Sequence, residues 1–164
     1  MNAHPGQYGL GHTEEENIMK VMVMIQGAGA DEDKIAPTEE MLREMGAYNE
    51  QLVKAGVMLD GEGLHPSAKG ARVVFAGGDT SVVDGPFTES KELIAGYWIW
   101  QVSSLEEAVE WAKKCPSDPQ YGATQVLEIR QIFSPEDFGA EYTPELREKD
   151  ERLAEEIQSQ HGQA

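Results

Sequence analysis

The sequence predicts an α+β domain of the ferredoxin-like, split βαβ type, in which helices cover one face of an antiparallel sheet. Two strand–helix–strand segments and the antiparallel hairpin between them favour this class over a parallel α/β fold. A chain of 164 residues, 40% of them apolar, is long enough for one such domain with a modest core.

The first strand–helix–strand segment begins at residues 20–26, KVMVMIQ, a short apolar run that predicts a buried strand. Residues 38–55 then place apolar side chains at helical spacing, behind Thr38 as the N-cap and two acids in the first turn. Gly56 is a suitable residue to end this helix. Residues 57–59 resume as a short strand.

A hairpin separates the two segments. Residues 71–76 and 80–83 are its predicted strands, and Gly77, Gly78 and Asp79 form a tight turn between them. The hairpin therefore closes just before the DGPF segment.

The second strand–helix–strand segment follows the DGPF sequence at residues 84–87. Residues 88–95 are long enough for one or two helical turns, and residues 97–102, YWIWQV, are the most strand-like stretch of the chain. Ser103 or Ser104 caps the next helix, which Pro116 ends, and residues 124–133 form the final strand.

Three regions follow from this pattern. Residues 1–18 are predicted to be a flexible extension, residues 19–133 the domain, and residues 134–164 an acidic helical tail. In the tail, residues 145–158 carry a thin apolar stripe on a charged helix: Leu146, Leu153 and Ile157.

Charge and composition exclude several classes of function. A net charge of −17 makes contact with nucleic acid or anionic membranes improbable. Cys115 is the single cysteine, so no internal disulfide or Cys-based zinc site is possible. Nearby lysines could lower its pKa, but no obvious partner residue follows it, so Cys115 is predicted to be incidental. No secretory signal, bilayer-spanning run, phosphate-binding glycine loop or dinucleotide motif is present, so we expect a cytoplasmic protein without a cofactor.

The DGPF segment itself has two interpretations. In the structural one, Asp84 accepts hydrogen bonds from nearby backbone N–H groups, Gly85 supplies an unusual φ, and Phe87 anchors the turn in the core. In the chemical one, Asp84 is a rigidly held carboxylate beside apolar surface, where its pKa could rise toward that of a general base.

Further candidate residues surround this segment in the sequence. His65 is either a surface loop residue or a proton shuttle, and it is the second catalytic candidate beside Asp84. The same choice between a solvated surface group and a ligand-binding group applies to Glu62, Glu89, Lys91 and Arg72. Tyr97, a further ligand-binding candidate, lies either in the core or an interface between two chains, or in the wall of an aromatic pocket. A metal site formed by Glu62, His65 and Asp84 is conceivable, but its spacing matches no known metal motif, and no metal is predicted.

The aromatic strand at residues 97–102 points to self-association. Tyr97 and Ile99 lie on one face of the strand, and Trp98 and Trp100 on the other. A strand that is apolar on both faces is expected to have the core on one side and a second copy of the chain, or a pocket wall, on the other.

The stretch DGPFTESKELIAGYWIW resembles the DGPF branch of the YCII-related family, together with the LEEAVEW helix that follows it. The resemblance implies a dimeric α/β-barrel built from two ferredoxin-like units. Members of the wider family are suspected of enzymatic work through a His–Asp pair, and some are encoded beside extracytoplasmic-function sigma factors. Their histidine lies in the first helix, where this chain has Tyr48 and Asn49.

Two hypotheses about function follow. In the first, the homodimer binds or transforms a small molecule in a pocket near residues 84–87. In the second, the protein is a non-catalytic binding or regulatory module, linked to sigma-factor regulation, whose aromatic strand and acidic tail make protein contacts.

Overall fold

The computed structural model describes residues 17–26, 36–87, 92–117 and 124–162. The predicted N-terminal extension falls almost wholly outside these residues. The chain divides into two compact units, with the border between Arg130 and Gln131.

The first unit contains the predicted succession of strands and helices. In chain order these are β1 (Met19–Gln26), α1 (Glu39–Lys54), β2 (Met58–Gly63), β3 (Ala71–Ala76), β4 (Asp79–Asp84), β5 (Ile94–Val102), α2 (Leu105–Ala112) and β6 (Val126–Gln131). One sheet has the order β2-β5-β1-β6, and β3 pairs with β4 in a separate sheet. Because β5 runs antiparallel to both β1 and β2, the architecture is α+β and compatible with the ferredoxin-like class.

Helix α1 forms for the reasons that its sequence indicates. The Thr38 hydroxyl accepts a hydrogen bond from the Met41 backbone N–H at 3.3 Å, which satisfies one free donor of the first turn. At the other end, Gly56 has a φ of +72°, a conformation that glycine adopts at little cost. The predicted capping of this helix is therefore confirmed at both ends.

The core lies between the four-stranded sheet and the two helices. Strands β1 and β5 turn alternate side chains toward the helices, as a two-residue period requires. The fully enclosed cluster consists of Val21, Val23, Tyr48, Leu52, Val57, Trp98, Trp100, Val102 and Ala108. Trp98 and Trp100 are buried within the single chain and belong to this core.

Strands β2 and β5 differ most from their predicted bounds, whereas β1, β4 and β6 differ by one or two residues at an end. Strand β2 extends to Gly63, and β5 begins at Ile94, where helical turns were expected. Both strands are longer than predicted because they pair with each other. The additional residues of β2 pair with the additional residues of β5, as far as Gly63 with Gly96. Residues 88–91 of the expected helical turns lie outside the described residues.

The β3–β4 hairpin has an unusual degree of exposure. Every residue in both strands is exposed, although the strands are fully paired from Ala71 with Asp84 to Ala76 with Asp79. Gly77 and Gly78, with φ of +58° and +88°, connect them as a two-residue turn. The turn is thus one residue shorter than predicted, because Asp79 already belongs to β4.

The second unit consists of a 3-10 segment, Pro135–Glu141, and helix α3 (Pro144–His161). Phe133 stacks on Phe138, with 5.1 Å between ring centroids, and Phe138 contacts Tyr142 in turn. Thr143 caps α3 by accepting a hydrogen bond from the Leu146 N–H. The predicted helix of the tail is confirmed and is longer than residues 145–158.

Candidate functional site

The DGPF loop, residues 84–87, is held against the short 3-10 turn Ser67–Lys69 and the glycine that follows it. The Gly85 N–H donates to the Gly70 carbonyl at 3.0 Å, and the Phe87 N–H donates to the Ser67 hydroxyl at 3.1 Å. Two hydrogen bonds, one to a backbone carbonyl and one to a side-chain hydroxyl, therefore join the loop to the segment of residues 67–70. The Gly85–Pro86 peptide bond is cis.

Gly85 is required for close approach, and the predicted unusual φ is wrong. Its φ does not lie in the left-handed region, which Gly56, Gly77, Gly78 and Gly139 occupy among the described residues. A Cβ added to Gly85 would instead lie 1.7 Å from the Ser67 carbonyl oxygen. Only a residue without a side chain lets the loop come this near to the 3-10 turn.

Phe87 is not anchored in the core as expected, since it is half-buried and absent from the core cluster. Its ring lies under the Arg72 guanidinium, with the Cζ atom 3.9 Å from the ring centroid. At that distance a cation is attracted to the face of an aromatic ring. Arg72 thus fixes the far end of the DGPF loop, which the sequence did not indicate.

Asp84 does not accept the hydrogen bonds that the structural interpretation gave it. The nearby N–H groups of Gly85 and Phe87 are taken by Gly70 and Ser67. Asp84 is the last residue of β4 and is exposed, on the same face of the hairpin as Val82. Within the described residues its carboxylate has no hydrogen bond or ion pair, and it is therefore available to a ligand.

His65 belongs to the segment between β2 and the 3-10 turn. It is exposed, and its neighbour Leu64 is held by a hydrogen bond from the Leu64 N–H to the Ala95 carbonyl at 2.8 Å. Chain connectivity places His65 two residues before Ser67, which Gly85 contacts. The segments that carry His65 and Asp84 therefore meet at one backbone contact.

Glu62 and Tyr97 are brought side by side on the four-stranded sheet. They are register partners on β2 and β5, on the face turned away from the helices. Directly opposed side chains in an antiparallel pair have Cβ atoms about 4.5–5.5 Å apart. Tyr97 is half-buried and Glu62 is exposed at the sheet edge.

The remaining candidates do not form a metal centre in the described part of the chain. No three His, Cys, Asp or Glu side chains come together there in a group that could hold a metal ion. The conceivable set of Glu62, His65 and Asp84 is therefore not assembled. Glu89 and Lys91 lie outside the described residues.

The position of the family's helical histidine is occupied by residues with structural partners. The Tyr48 hydroxyl donates to the Trp111 carbonyl at 2.8 Å, and the Asn49 side-chain oxygen accepts from the Trp98 indole N–H at 3.0 Å. Burial, with a smaller contribution from Cys115, holds the pKa of Tyr48 well above its usual range. Neither group is free to act as a base at neutral pH.

The Cys115 thiol is also unreactive because it is buried. Burial raises the pKa of its thiol to about 11, against the lowering by nearby lysines that the sequence suggested. Lys114 is directed elsewhere, with its amine 4.4 Å from the centroid of the Trp111 ring.

Two residues of this region escaped the sequence analysis. Ser67 and Gly70 hold the DGPF loop, yet they lie in the segment PSAKG, which reads as an ordinary turn. A signal was available in the small residues Ser67, Ala68 and Gly70 that follow Pro66. Such residues allow another backbone to approach closely.

Comparison with known proteins gives the family of the domain that carries these candidate residues. The profile of the YCII-related domain matches residues 19–134. The chain belongs to the YCII-related family. It is also 32% identical over 89 residues to an uncharacterized protein of Rhizobium meliloti (strain 1021), an alignment that covers 54% of this chain and 72% of the relative. The YCII-related match therefore includes β1 to β6 and the DGPF loop, and ends at the start of the second unit.

A search of the described residues for long apolar helices found none that could cross a membrane.

Proposed function

We propose that this YCII-related protein, as a member of the DGPF branch, binds or transforms a small molecule beside the DGPF loop, at a junction between two copies of the chain. The single observation that carries the proposal is the state of Asp84. The loop's own N–H groups are satisfied by Ser67 and Gly70, so the Asp84 carboxylate is held in place without being used.

The surrounding residues suit a polar ligand. An unpaired carboxylate accepts hydrogen bonds from hydroxyl, amine or amide groups, and the exposed His65 imidazole can donate or accept one. Arg72 lies at the other end of the loop, so an anionic group on the ligand has a cation within the same region. Glu62 and Tyr97, with Glu89 and Lys91 from the segment after the loop, complete the proposed lining.

The roles in a reaction follow from these positions. Asp84 would orient the ligand or act as acid and base, and His65 would carry the proton to or from solvent. A second copy of the chain would close the region from water, which strengthens each of these polar contacts.

A metabolite screen by thermal shift tests the proposal, with wild type compared with Asp84→Asn. Asp79→Asn is a matched control, because Asp79 is an exposed aspartate at the other end of the same strand. We expect a compound that raises the wild-type melting temperature to lose most of that effect in Asp84→Asn and to keep it in Asp79→Asn. An unchanged shift in Asp84→Asn would remove Asp84 from the site.

A second measurement separates catalysis from binding. The compounds that shift the melting temperature are incubated with the protein and followed by mass spectrometry. Conversion that depends on Asp84 supports an enzyme, whereas stable binding without conversion supports a binding module.

The alternative, a non-catalytic regulatory module linked to sigma-factor regulation, has one observation in its favour. Helix α3 keeps its apolar stripe in solvent, with Leu146, Leu153 and Ile157 being 46%, 47% and 60% exposed. An apolar stripe on a charged helix is a common docking surface for another protein.

A further inference from the structure

Helix α3 carries a narrow apolar stripe that stays in solvent in the described part of the chain. Leu146, Leu153 and Ile157 are 46%, 47% and 60% exposed, and no residue of the helix is buried. Their spacings of seven and four residues place them on one face of the helix, because a helix has 3.6 residues per turn. We call these three side chains the tail stripe.

One polar residue interrupts the tail stripe. In a heptad, Leu146 and Leu153 occupy d positions and Ile157 an a position, so the a position between the two leucines falls on Asp150. Its carboxylate accepts a hydrogen bond from the Tyr142 hydroxyl at 2.6 Å. A polar residue at a single a position lowers the stability of a helix pair but selects its alignment.

The alignment that Asp150 selects between two copies of α3 is antiparallel. In a parallel pair equivalent residues face each other, so two Asp150 carboxylates would meet and repel. In an antiparallel pair that sets Ile157 against Leu146, a step toward one end of the first helix is a step toward the other end of the second. Asp150 then meets Leu153, and no like charges face each other within the tail stripe.

The same alignment brings opposite charges together beside the tail stripe. Lys149 and Glu156 are seven residues apart and therefore lie on the same flank of the helix. Residues 146–150 of one helix lie beside residues 153–157 of the other, so Lys149 meets Glu156 twice. Lys149 is exposed, and it forms no ion pair with any described residue. Both the apolar and the charged residues are thus self-complementary about one two-fold axis, as a pair of identical helices requires.

We propose that α3 packs antiparallel on α3 of a second copy of this chain, with Ile157 against Leu146 and Lys149 beside Glu156. This rests on the proposed pairing of two chains and adds a contact beyond the YCII-related match, which ends at residue 134. A second copy supplies both the apolar and the charged partner, whereas a foreign helix would need a sequence that matches this one. A paired tail stripe is not free for another protein, so the regulatory alternative would lose its supporting observation.

The area of the tail stripe sets the strength of this contact. A leucine or isoleucine side chain has on the order of 100 Å² of apolar surface, of which about half is exposed here. Two tail stripes therefore bury roughly 300 Å², far below the roughly 1,200 Å² at which specific interfaces begin. The contact is too small to hold two chains alone. It forms where the domains already hold the two helices at a high local concentration.

The first experiment maps the contact in the full chain. Ile157 is replaced by the photoreactive residue benzoylphenylalanine, and ¹⁴N- and ¹⁵N-labelled chains are mixed before irradiation. Residue 146 of the same helix is about 16 Å away along the axis, beyond the reach of this side chain. We expect crosslinked peptides of mixed isotope that join residue 157 to residues near Leu146. Crosslinks between two copies of residue 157 would show a parallel pair, and crosslinks to any other segment, or none between chains, would refute the contact.

The second experiment exchanges the flanking charges in the same photoreactive protein. Lys149→Glu and Glu156→Lys should each lower the yield of the crosslink between residues 157 and 146 by about threefold or more. The double variant restores opposite charges in reversed order and should recover the yield. Recovery cannot arise from a damaged helix, since both substitutions are then present. Equal yields in all four proteins would refute the charge pairing.

Light scattering of the full chain distinguishes failure of the tail contact from failure of the paired ligand site. A mass of two chains without the crosslink would overturn the tail contact and leave the pairing of chains intact. A mass of one chain would remove the pairing on which both proposals rest. The thermal-shift screen tests the ligand site separately.

Discussion

The replacement Gly85→Ala tests the account of the DGPF loop most directly. The new Cβ would lie 1.7 Å from the Ser67 carbonyl oxygen, whereas ordinary van der Waals contact begins at 3.4 Å. The loop or the 3-10 turn must therefore move by about 1.7 Å, the difference between these two distances. A movement of that size breaks hydrogen bonds that are now 3.0 and 3.1 Å long.

The magnitude follows from the contacts at risk. The hydrogen bonds from Gly85 and Phe87 contribute about 1 kcal/mol each, and the Arg72 guanidinium over the Phe87 ring contributes about 0.5–1 kcal/mol at an exposed site. Loss of all three lowers the free energy of unfolding of this region by about 3 kcal/mol. In a cooperative melt that corresponds to about 6–12 °C.

Hydrogen exchange measured by mass spectrometry localises the effect. Because the hairpin and the loop are exposed, they can open while the core stays folded. A loss of about 3 kcal/mol in the free energy of this local opening accelerates exchange of the Gly85 and Phe87 amides by on the order of a hundredfold. Gly70→Ala is the control, since its added Cβ would lie 3.4 Å from the same Ser67 oxygen, an ordinary contact. Equal exchange rates in wild type and Gly85→Ala would refute the close-approach explanation.

Three other outcomes concern the core. Tyr48→Phe removes the hydrogen bond to the Trp111 carbonyl and should lower the free energy of unfolding by about 1 kcal/mol, as measured by urea titration. Asn49→Ala leaves the buried Trp98 indole N–H without its acceptor and should cost about 1–3 kcal/mol in the same titration, and a loss below 0.5 kcal/mol would count against that bond. With its pKa raised to about 11 from 9.0, the Cys115 thiol should react with iodoacetamide about a hundredfold more slowly at pH 8 in the folded protein than in urea. Because the unfolded chain loses this proton first, stability should fall as pH rises from about 9 through 11, and Cys115→Ala should lack that part of the decline.

The order of the elements was predictable because local signals coincide with the tertiary structure. Each of these signals determines the structure of residues close to it in the sequence. They are the Thr38 cap, the Gly56 stop and the apolar run of residues 97–102. The bounds of β2 and β5 were not predictable in the same way. Each strand is lengthened by pairing with the other, and that partner lies more than thirty residues away in the chain.

The DGPF motif is visible in the sequence, but the contacts that hold its loop were not predicted from it. The DGPF sequence was sufficient to single out Asp84, but what Gly85 and Phe87 do depends on Ser67 and Arg72, which no local pattern connects to them. The same limit applies to the pKa of Cys115, a residue that the sequence predicted to be incidental. The two lysines beside it are visible in the sequence, whereas the burial that raises its pKa is a property of the packed domain.

Strand β2 forms one border of the four-stranded sheet, and its composition protects that border. Asp60 and Glu62 place carboxylates along it, and the pairing register shifts between Met58 and Asp60. Charge and irregularity are the features by which natural sheets discourage a foreign strand from adding to an unpaired edge. The unpaired border of β2 therefore resists the end-to-end growth into fibres that an unprotected edge strand would invite.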